Sequence, residues 1–261
     1  MRTLTLFLAI AIIMITGCTS QKKLAYLNNL PVPNGQETFT LAIPDYKIQN
    51  RDVLYITLKA MDPEGQIKDF LGGSGASAGG TYMQGDAGGY LYGYDVKPDG
   101  TVILPVVGII TVEGKTLEEI RKILQDEFSK HYKNAILECK LLSFKFTVIG
   151  EVKAPGTYIN YNNYLTVLEA IGRSGGVGDF GNRDRVLVVR PSEKGTKTFR
   201  LNLQDKSILS SEAYFLLPND VVIVEPLKQK IFNMNLPTIS FFISTSLAAL
   251  STTLLLINYL K

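Results

Sequence analysis

The chain has 261 residues, 46% of them apolar, and carries 27 Lys and Arg against 24 Asp and Glu for a net charge of +3. That balance excludes the basic footprint of a nucleic-acid binder, and two lone cysteines, Cys18 and Cys139, provide neither a disulfide framework nor a metal knuckle. The mean hydropathy of +0.12 is raised by the two ends: residues 1–17 hold 12 apolar residues and residues 238–260 hold 14 of 23, which leaves a body of ordinary globular composition.

In chain order, Met1-Arg2 and an apolar run from Leu6 to Ile15 form a charged start and a core too short to span a bilayer, the pattern of a secretory signal peptide over residues 1–17. Ile15-Thr16-Gly17-Cys18 resembles the bacterial lipobox, which implies diacylation of Cys18 and cleavage before it. Thr19, Ser20 and Gln21 follow, not the Asp that resembles an inner-membrane retention signal, so the expected location is the outer membrane of a Gram-negative bacterium. The acidic cluster that resembles the surface-export signal of some Bacteroidetes lipoproteins is missing, which directs the body to the periplasm. Cys139 is then left without a disulfide partner and is expected to be a buried, inert strand thiol.

Residues 18–43 read as a lipidated linker, with Pro31, Pro33, Asn34 and Gly35 marking turns and order expected from about Pro44. From Tyr46 to Leu58, Val53, Tyr55 and Thr57 alternate with Leu54, Ile56 and Leu58, which predicts a strand. Eight glycines among the 18 residues Gly72–Gly89 predict a mobile loop. Pro98-Asp99-Gly100 predicts a turn closing a hairpin between Tyr94 and Leu104. Thr116 and Glu119 form a capping box, and Leu117, Ile120, Ile123, Leu124 and Phe128 extend a helix to about Tyr132. Ile136 to Ile149 then reads as one strand.

A second unit repeats the plan. Pro155-Gly156 within Glu151–Tyr158 suits a type II turn. Thr166 and Glu169 cap a helix that stops near Ser174, before Gly175-Gly176, and Val186–Arg190, Thr198–Leu203 and Val221–Glu225 read as strands. Ile48-Gln49-Asn50-Arg51-Asp52-Val53-Leu54 is echoed by Leu217-Pro218-Asn219-Asp220-Val221-Val222, a turn closed by Asp before an apolar strand. The fold class expected is α+β: two small tandem α+β units over 44–145 and 146–227, then a transmembrane helix over 231–260.

No charge lies between Lys230 and Lys261, and a helix over 238–260 is about 35 Å long at ~1.5 Å per residue, enough for a bilayer core of ~30 Å. Thr238, Thr245 and Thr252 repeat every seven residues, as do Ser244, Ser251 and Asn258. Two readings compete. In a lone tail anchor these hydroxyls bond their own backbone; in an assembly, a small polar stripe of Ser244, Thr245, Ser251, Thr252 and Asn258 lets helices approach closely.

These blocks resemble the outer-membrane polysaccharide export family, the Wza-like proteins. The polysaccharide export domain is matched by Tyr46, Ile48, Asp52 and Leu54, then Asp99, Gly100, Leu104, Pro105, Gly108, Val112, Gly114 and Thr116. A following β-grasp domain of the soluble-ligand-binding (SLBB) type is matched by Gly150, Glu151, Pro155 and Gly156 and by Gly175-Gly176. Arg51 stands where the pattern has Gly, so that turn must avoid or tolerate positive φ. The resemblance implies a homo-oligomeric ring, a conduit for capsular or exopolysaccharide, and an inner-membrane polysaccharide co-polymerase (chain-length regulator) as partner. The closing helix is more apolar than the amphipathic barrel helix of that family. The rival expectation is a periplasmic ligand-binding or scaffold lipoprotein that forms no channel.

The residues point to no enzyme, cofactor or metal. His131, the single histidine, falls at a helix C-terminus beside Lys130 and Lys133. Gly172-Arg173-Ser174-Gly175-Gly176 imitates a nucleophile elbow but ends a helix instead of joining strand to helix. Asp99, Gly100, Pro105, Gly150, Pro155 and Gly156 are expected to shape backbone. Candidate saccharide contacts are Tyr82, Tyr90 and Tyr92 near the Gly-rich segment and Tyr161 and Tyr164 among Asn160, Asn162 and Asn163, because tyrosine joins an apolar face to a polar tip.

Overall fold

Alternation places Leu54, Ile56, Leu58 and Ala60 on one face of strand β1 (Val53–Met61), and all four are buried. The computed structural model describes residues 24–30, 37–40, 42–61, 65–71, 93–192 and 195–260. The expected signal peptide over residues 1–17, Cys18, the Gly72–Gly89 segment, Tyr82, Tyr90 and Tyr92 lie outside them. Strands β2 (Ile67–Asp69) and β3 (Tyr94–Asp95) pair antiparallel with β1 along one edge, and β6 (Ile136–Leu141) pairs with it along the other. Helix α1 (Leu117–Ser129) opens on the predicted reciprocal Thr116–Glu119 capping box. It buries Ile120, Leu124 and Phe128, one residue per turn, against Leu54, Ile56 and Leu58. Its last carbonyls are met by the amides of Lys130, His131 and Tyr132 in a closing turn, so the helix stops three residues before Tyr132.

The predicted Tyr94–Leu104 hairpin is not formed. The turn closes, with Lys97 N–H bonded to Thr101 O at 2.8 Å, but the strands on its two sides part company. β3 joins β1, while β4 (Thr101–Leu104) pairs with β5 (Gly108–Thr111). The hairpin lies one turn later, around Pro105, where Val106 adopts φ +73 and Gly108 φ +77. A local turn signal does not say which neighbour a short strand will choose; here the core contact of Val102 and Leu104 decides.

The run expected as one strand from Ile136 to Ile149 breaks at Leu142–Phe144 into β6 and β7 (Lys145–Gly150), which belong to different sheets. Leu141 packs against both hydrophobic cores. The second sheet has five strands in the order β10-β9-β11-β7-β8, with β11 (Val221–Pro226) parallel to β7 and every other pair antiparallel. β8 spans Gly156–Ile159, β9 Gly181–Ser192 and β10 Gly195–Leu201. Helix α2 (Val167–Arg173), capped by Thr166 and Glu169 as predicted, buries Val167, Ala170 and Ile171 against this sheet, the β-grasp arrangement. It ends where Gly175 and Gly176 both take positive φ and Gly176 N–H returns to Ile171 O at 2.9 Å. A 3-10 turn over Lys206–Ser210, unforeseen in the sequence, follows β10.

The type II turn expected at Pro155-Gly156 is also corrected. Gly156 has no positive φ and starts β8 opposite Val148. The glycine that the fold demands is Gly150, at φ +91, where a Cβ would lie 2.2 Å from the carbonyl oxygen of Val224.

Order also begins before Pro44. Leu27 and Asn28 donate backbone hydrogen bonds to Leu203 and Gln204 at 3.0 and 2.8 Å, and Leu27 packs on the second core. Asn29 accepts from Lys206 N–H at 2.7 Å, and the Arg183 guanidinium lies 5.6 Å from the Tyr26 ring. Residues 24–30 thus form a strap on the second unit.

Cys139 is half-buried against the first core, and burial pushes its thiol up to about 12. The thiolate is the reactive species. Iodoacetamide at mildly alkaline pH is therefore expected to label Cys139 at least about a hundredfold more slowly in the folded protein than in urea. Mass-spectrometric mapping checks this; equal rates would show that the thiol is accessible.

Candidate functional site

The two turns that echo each other in sequence share one construction. In the first, Asp52 Oδ2 accepts from Gln49 N–H at 2.9 Å and Asp52 N–H bonds back to Gln49 O. In the second, Asp220 Oδ2 accepts from Leu217 N–H at 2.8 Å and Asp220 N–H returns to Leu217 O. The residue before each Asp is left-handed, Arg51 at φ 69 and Asn219 at φ 67. Arg51 therefore tolerates positive φ in a turn already closed by the carboxylate.

What remains of each carboxylate is used differently. Asp52, almost fully buried, accepts from Tyr46 Oη and Ser143 Oγ, both at 2.9 Å. Burial and the Asp52 charge hold the Tyr46 phenol well above its usual range, so it stays a donor. Because Ser143 sits in the crossing between β6 and β7, Asp52 ties the first turn to the junction of the two units. Asp220 is fully buried and receives the Arg190 guanidinium in a fork, Nε to Oδ1 at 3.0 Å and Nη2 to Oδ2 at 2.8 Å. Nη2 also donates to Phe215 O at 2.8 Å. Burial raises the Asp220 carboxyl, while Arg190 and the Leu217 amide pull it down. The β9–β11 register places Val189 opposite Val221, so Arg190 and Asp220 occupy the next rung. Arg190 was not singled out from sequence, although its step-of-two spacing from Val186 and Val188 marks it as inward-facing.

Beside this junction lies a cleft of about 100 Å³. Pro44, Leu117 and Lys140 line it from the first unit, and Tyr161, Asn163, Tyr164 and Phe215 from the second. The loop that carries the tyrosines is built around Asn160. That side chain is buried, donates to Asn162 O at 2.7 Å and Tyr164 O at 3.3 Å, and accepts from Arg173 Nη2 at 3.0 Å. With Asn160 turned inward, Tyr161 is turned out, 73% exposed, while the Tyr164 ring meets Phe215 edge-on at 5.9 Å. Of the five candidate saccharide tyrosines, these two share one cleft.

The remaining signature residues shape backbone. Asp99 Oδ1 accepts from Thr101 N–H at 3.1 Å and from its hydroxyl at 2.6 Å. Gly100, at φ +76, offers its carbonyl to the amides of Val112 and Glu113. Pro105 opens the β4–β5 turn, its carbonyl accepting from Val107 N–H at 2.9 Å. Glu151 forms an ion pair with Lys230 that fastens the start of the closing helix to the second unit. Pro155 stands exposed just before β8. Ser174 is fully buried with its hydroxyl donated to Ile171 O at 2.8 Å, so no substrate reaches it, and His131 is exposed as expected.

The closing helix α3 runs over Lys228–Tyr259, 32 residues that include Pro237, and begins three residues before the predicted start. Its hydropathy reaches 1.8 over an 18-residue window, none of which is buried. At ~1.5 Å per residue the helix is about 48 Å long, longer than a bilayer core. Ser244, Thr245, Ser251 and Thr252 each donate to a carbonyl three or four residues back, at 2.8–3.1 Å. These four hydroxyls therefore need no partner helix as acceptor, which removes the cost of setting them in lipid. Asn258 is the penultimate residue of the helix and is exposed.

Residues 41–141 match the family model for polysaccharide biosynthesis/export proteins, and residues 144–224 match the SLBB domain model. A polysaccharide export outer membrane protein EpsA (EPS I) of Ralstonia nicotianae is 30% identical over 126 residues, covering 46% of this chain and 33% of that protein. The same-named protein of Ralstonia solanacearum is 27% identical over 138 residues, 51% of this chain and 36% of its own length. The matched segments thus span about a third of the curated relatives.

Proposed function

Because the chain belongs to the outer-membrane polysaccharide export family, we propose that it is a lipoprotein that exports capsular or exopolysaccharide across the outer membrane as a homo-oligomeric translocon. In this reading residues 1–17 are removed, Cys18 is acylated, the two α+β units stand in the periplasm over 44–145 and 146–227, and residues 231–260 cross the membrane. The body does no covalent chemistry. It positions polymer handed over by an inner-membrane co-polymerase, and the copies pack through Ser244, Thr245, Ser251, Thr252 and Asn258.

The observation that carries this reading is the helix α3. An apolar helix with no buried residue has no stable place in water, because each large side chain left exposed forfeits roughly 1.5–3 kcal/mol. It requires lipid, copies of itself, or both. Lipid cannot drive helices together through apolar surface, so the small stripe supplies the close approach. The hydroxyls bonded within the helix favour neither a wet nor a dry lining, and both remain compatible with a ring.

Imaging the protein purified in mild detergent tests this. A closed ring is expected, and Ser244→Leu with Ser251→Leu should reduce it to smaller species that remain in the membrane fraction. A monomer at high concentration would instead favour the periplasmic scaffold reading. Cys18→Ala should abolish fatty-acid labelling.

A further inference from the structure

The cleft between the two units has the chemistry of a sugar-binding subsite, and we infer that it holds one pyranose residue of a polysaccharide, with Tyr161 and Tyr164 against the sugar's C–H face. This rests on the export reading above but assigns a site to it. The first support is preorganisation. The loop over 160–164 is held from within by the buried Asn160 and by Arg173, which donates to Ile159 O at 3.1 Å as well as to Asn160 Oδ1. Ordering this loop costs nothing further at the moment of binding.

The second support is what that order achieves. Tyr161, 73% exposed on this loop, is held away from the core just beside it, while Leu165, where the loop ends, is completely buried. The hydroxyls of Tyr161 and Tyr164 and the side-chain amide of Asn163 make no hydrogen bond among the described residues. They stand around a floor made apolar by Pro44, Leu117 and Phe215. Rigid aromatic faces with polar tips and free amides match a pyranose, which shows C–H groups on one face and hydroxyls around its rim. Lys140 adds an ammonium at the edge, 3.5 Å from Glu138 in an exposed pair that holds it only weakly.

The third support is size. A cleft of about 100 Å³ holds roughly three waters at their liquid volume. It therefore takes one face of a single sugar ring, the rest of which stays in solvent, and not an oligosaccharide. A shallow single-residue subsite suits a polymer that must slide, because each residue is held briefly and released.

The test uses the full-length protein in detergent and short oligosaccharides made by partial acid hydrolysis of the host's own surface polysaccharide. Saturation-transfer NMR and titration calorimetry should detect binding, and Tyr161→Ala and Asn163→Ala should each weaken it about tenfold. Both positions are exposed, so the fold is retained, and circular dichroism checks that. Absence of binding to the unaltered protein, or unchanged affinity in both variants, would overturn the site. A change in oligomer mass at unchanged affinity would overturn it too, by showing that the cleft seats another copy of the chain. The export reading is tested separately. If deleting the gene removes surface polysaccharide while Tyr161→Ala binds normally, only the subsite fails; if deletion leaves surface polysaccharide intact, the export reading itself fails.

Discussion

Asp220→Ala is expected to lower the stability of the second unit by about 3–5 kcal/mol, because it leaves Arg190 as an uncompensated charge inside the sheet. The Arg190 side chain is 9% exposed, and the fork of hydrogen bonds to Asp220 is the main thing that neutralises its guanidinium. The same substitution takes away the acceptor of the Leu217 amide and opens the turn before β11. Replacing both partners, Arg190→Met with Asp220→Leu, should recover much of the loss, since the ion pair itself roughly balances its own desolvation. The Phe215 carbonyl then loses its Nη2 donor, so recovery will be incomplete. Thermal unfolding of the two variants checks the pair of expectations. A double variant no more stable than Asp220→Ala would place the loss in the opened turn, not in the orphaned charge.

Gly150→Ala is expected to be at least as damaging, and Gly156→Ala nearly neutral. At Gly150 the new methyl carbon meets a backbone oxygen of β11 at 2.2 Å in a left-handed residue, so the β7–β11 pairing must give way. That pairing is the parallel centre of the sheet, and a cost above about 3 kcal/mol follows from strain at such a position. At Gly156 the nearest atom is 3.9 Å away, in the Tyr158 ring, and the backbone suits any residue. Equal unfolding midpoints for the two variants would refute the assignment of the demanding turn to Gly150.

These two glycines also show how far local signals reach. Pro-Gly is a strong turn signature, and from the chain alone Pro155-Gly156 takes precedence over Gly150. The constraint on Gly150 comes from Val224, more than seventy residues away, and no spacing rule reveals it. The capping boxes at Thr116 and Thr166 were legible because every partner lies within one helical turn. The Asp52 and Asp220 turns were legible as an echo for the same reason, since each closes over three residues. Their second partners, Tyr46 with Ser143 and Arg190, come from elsewhere in the fold; of these only Arg190 left a trace, in its strand alternation. Tyr161 and Tyr164 were visible as aromatic residues among amides, but Pro44, Leu117 and Lys140 became their neighbours only when the two units met.

By itself the sequence determined the α+β class, the two tandem units, both capped helices and the apolar segment at each end. Those features depend on periodicity, on partners a few residues apart, or on hydropathy summed over a window, and all of that is carried locally by the chain. The tertiary structure alone decided that β3 leaves its expected hairpin for β1, that one apolar run divides between two sheets, and that residues 24–30 strap onto the second unit. Each of these is a competition between pairings of similar local merit, settled by which arrangement buries Val102, Leu104, Leu141 and Leu27 against a core assembled from distant residues.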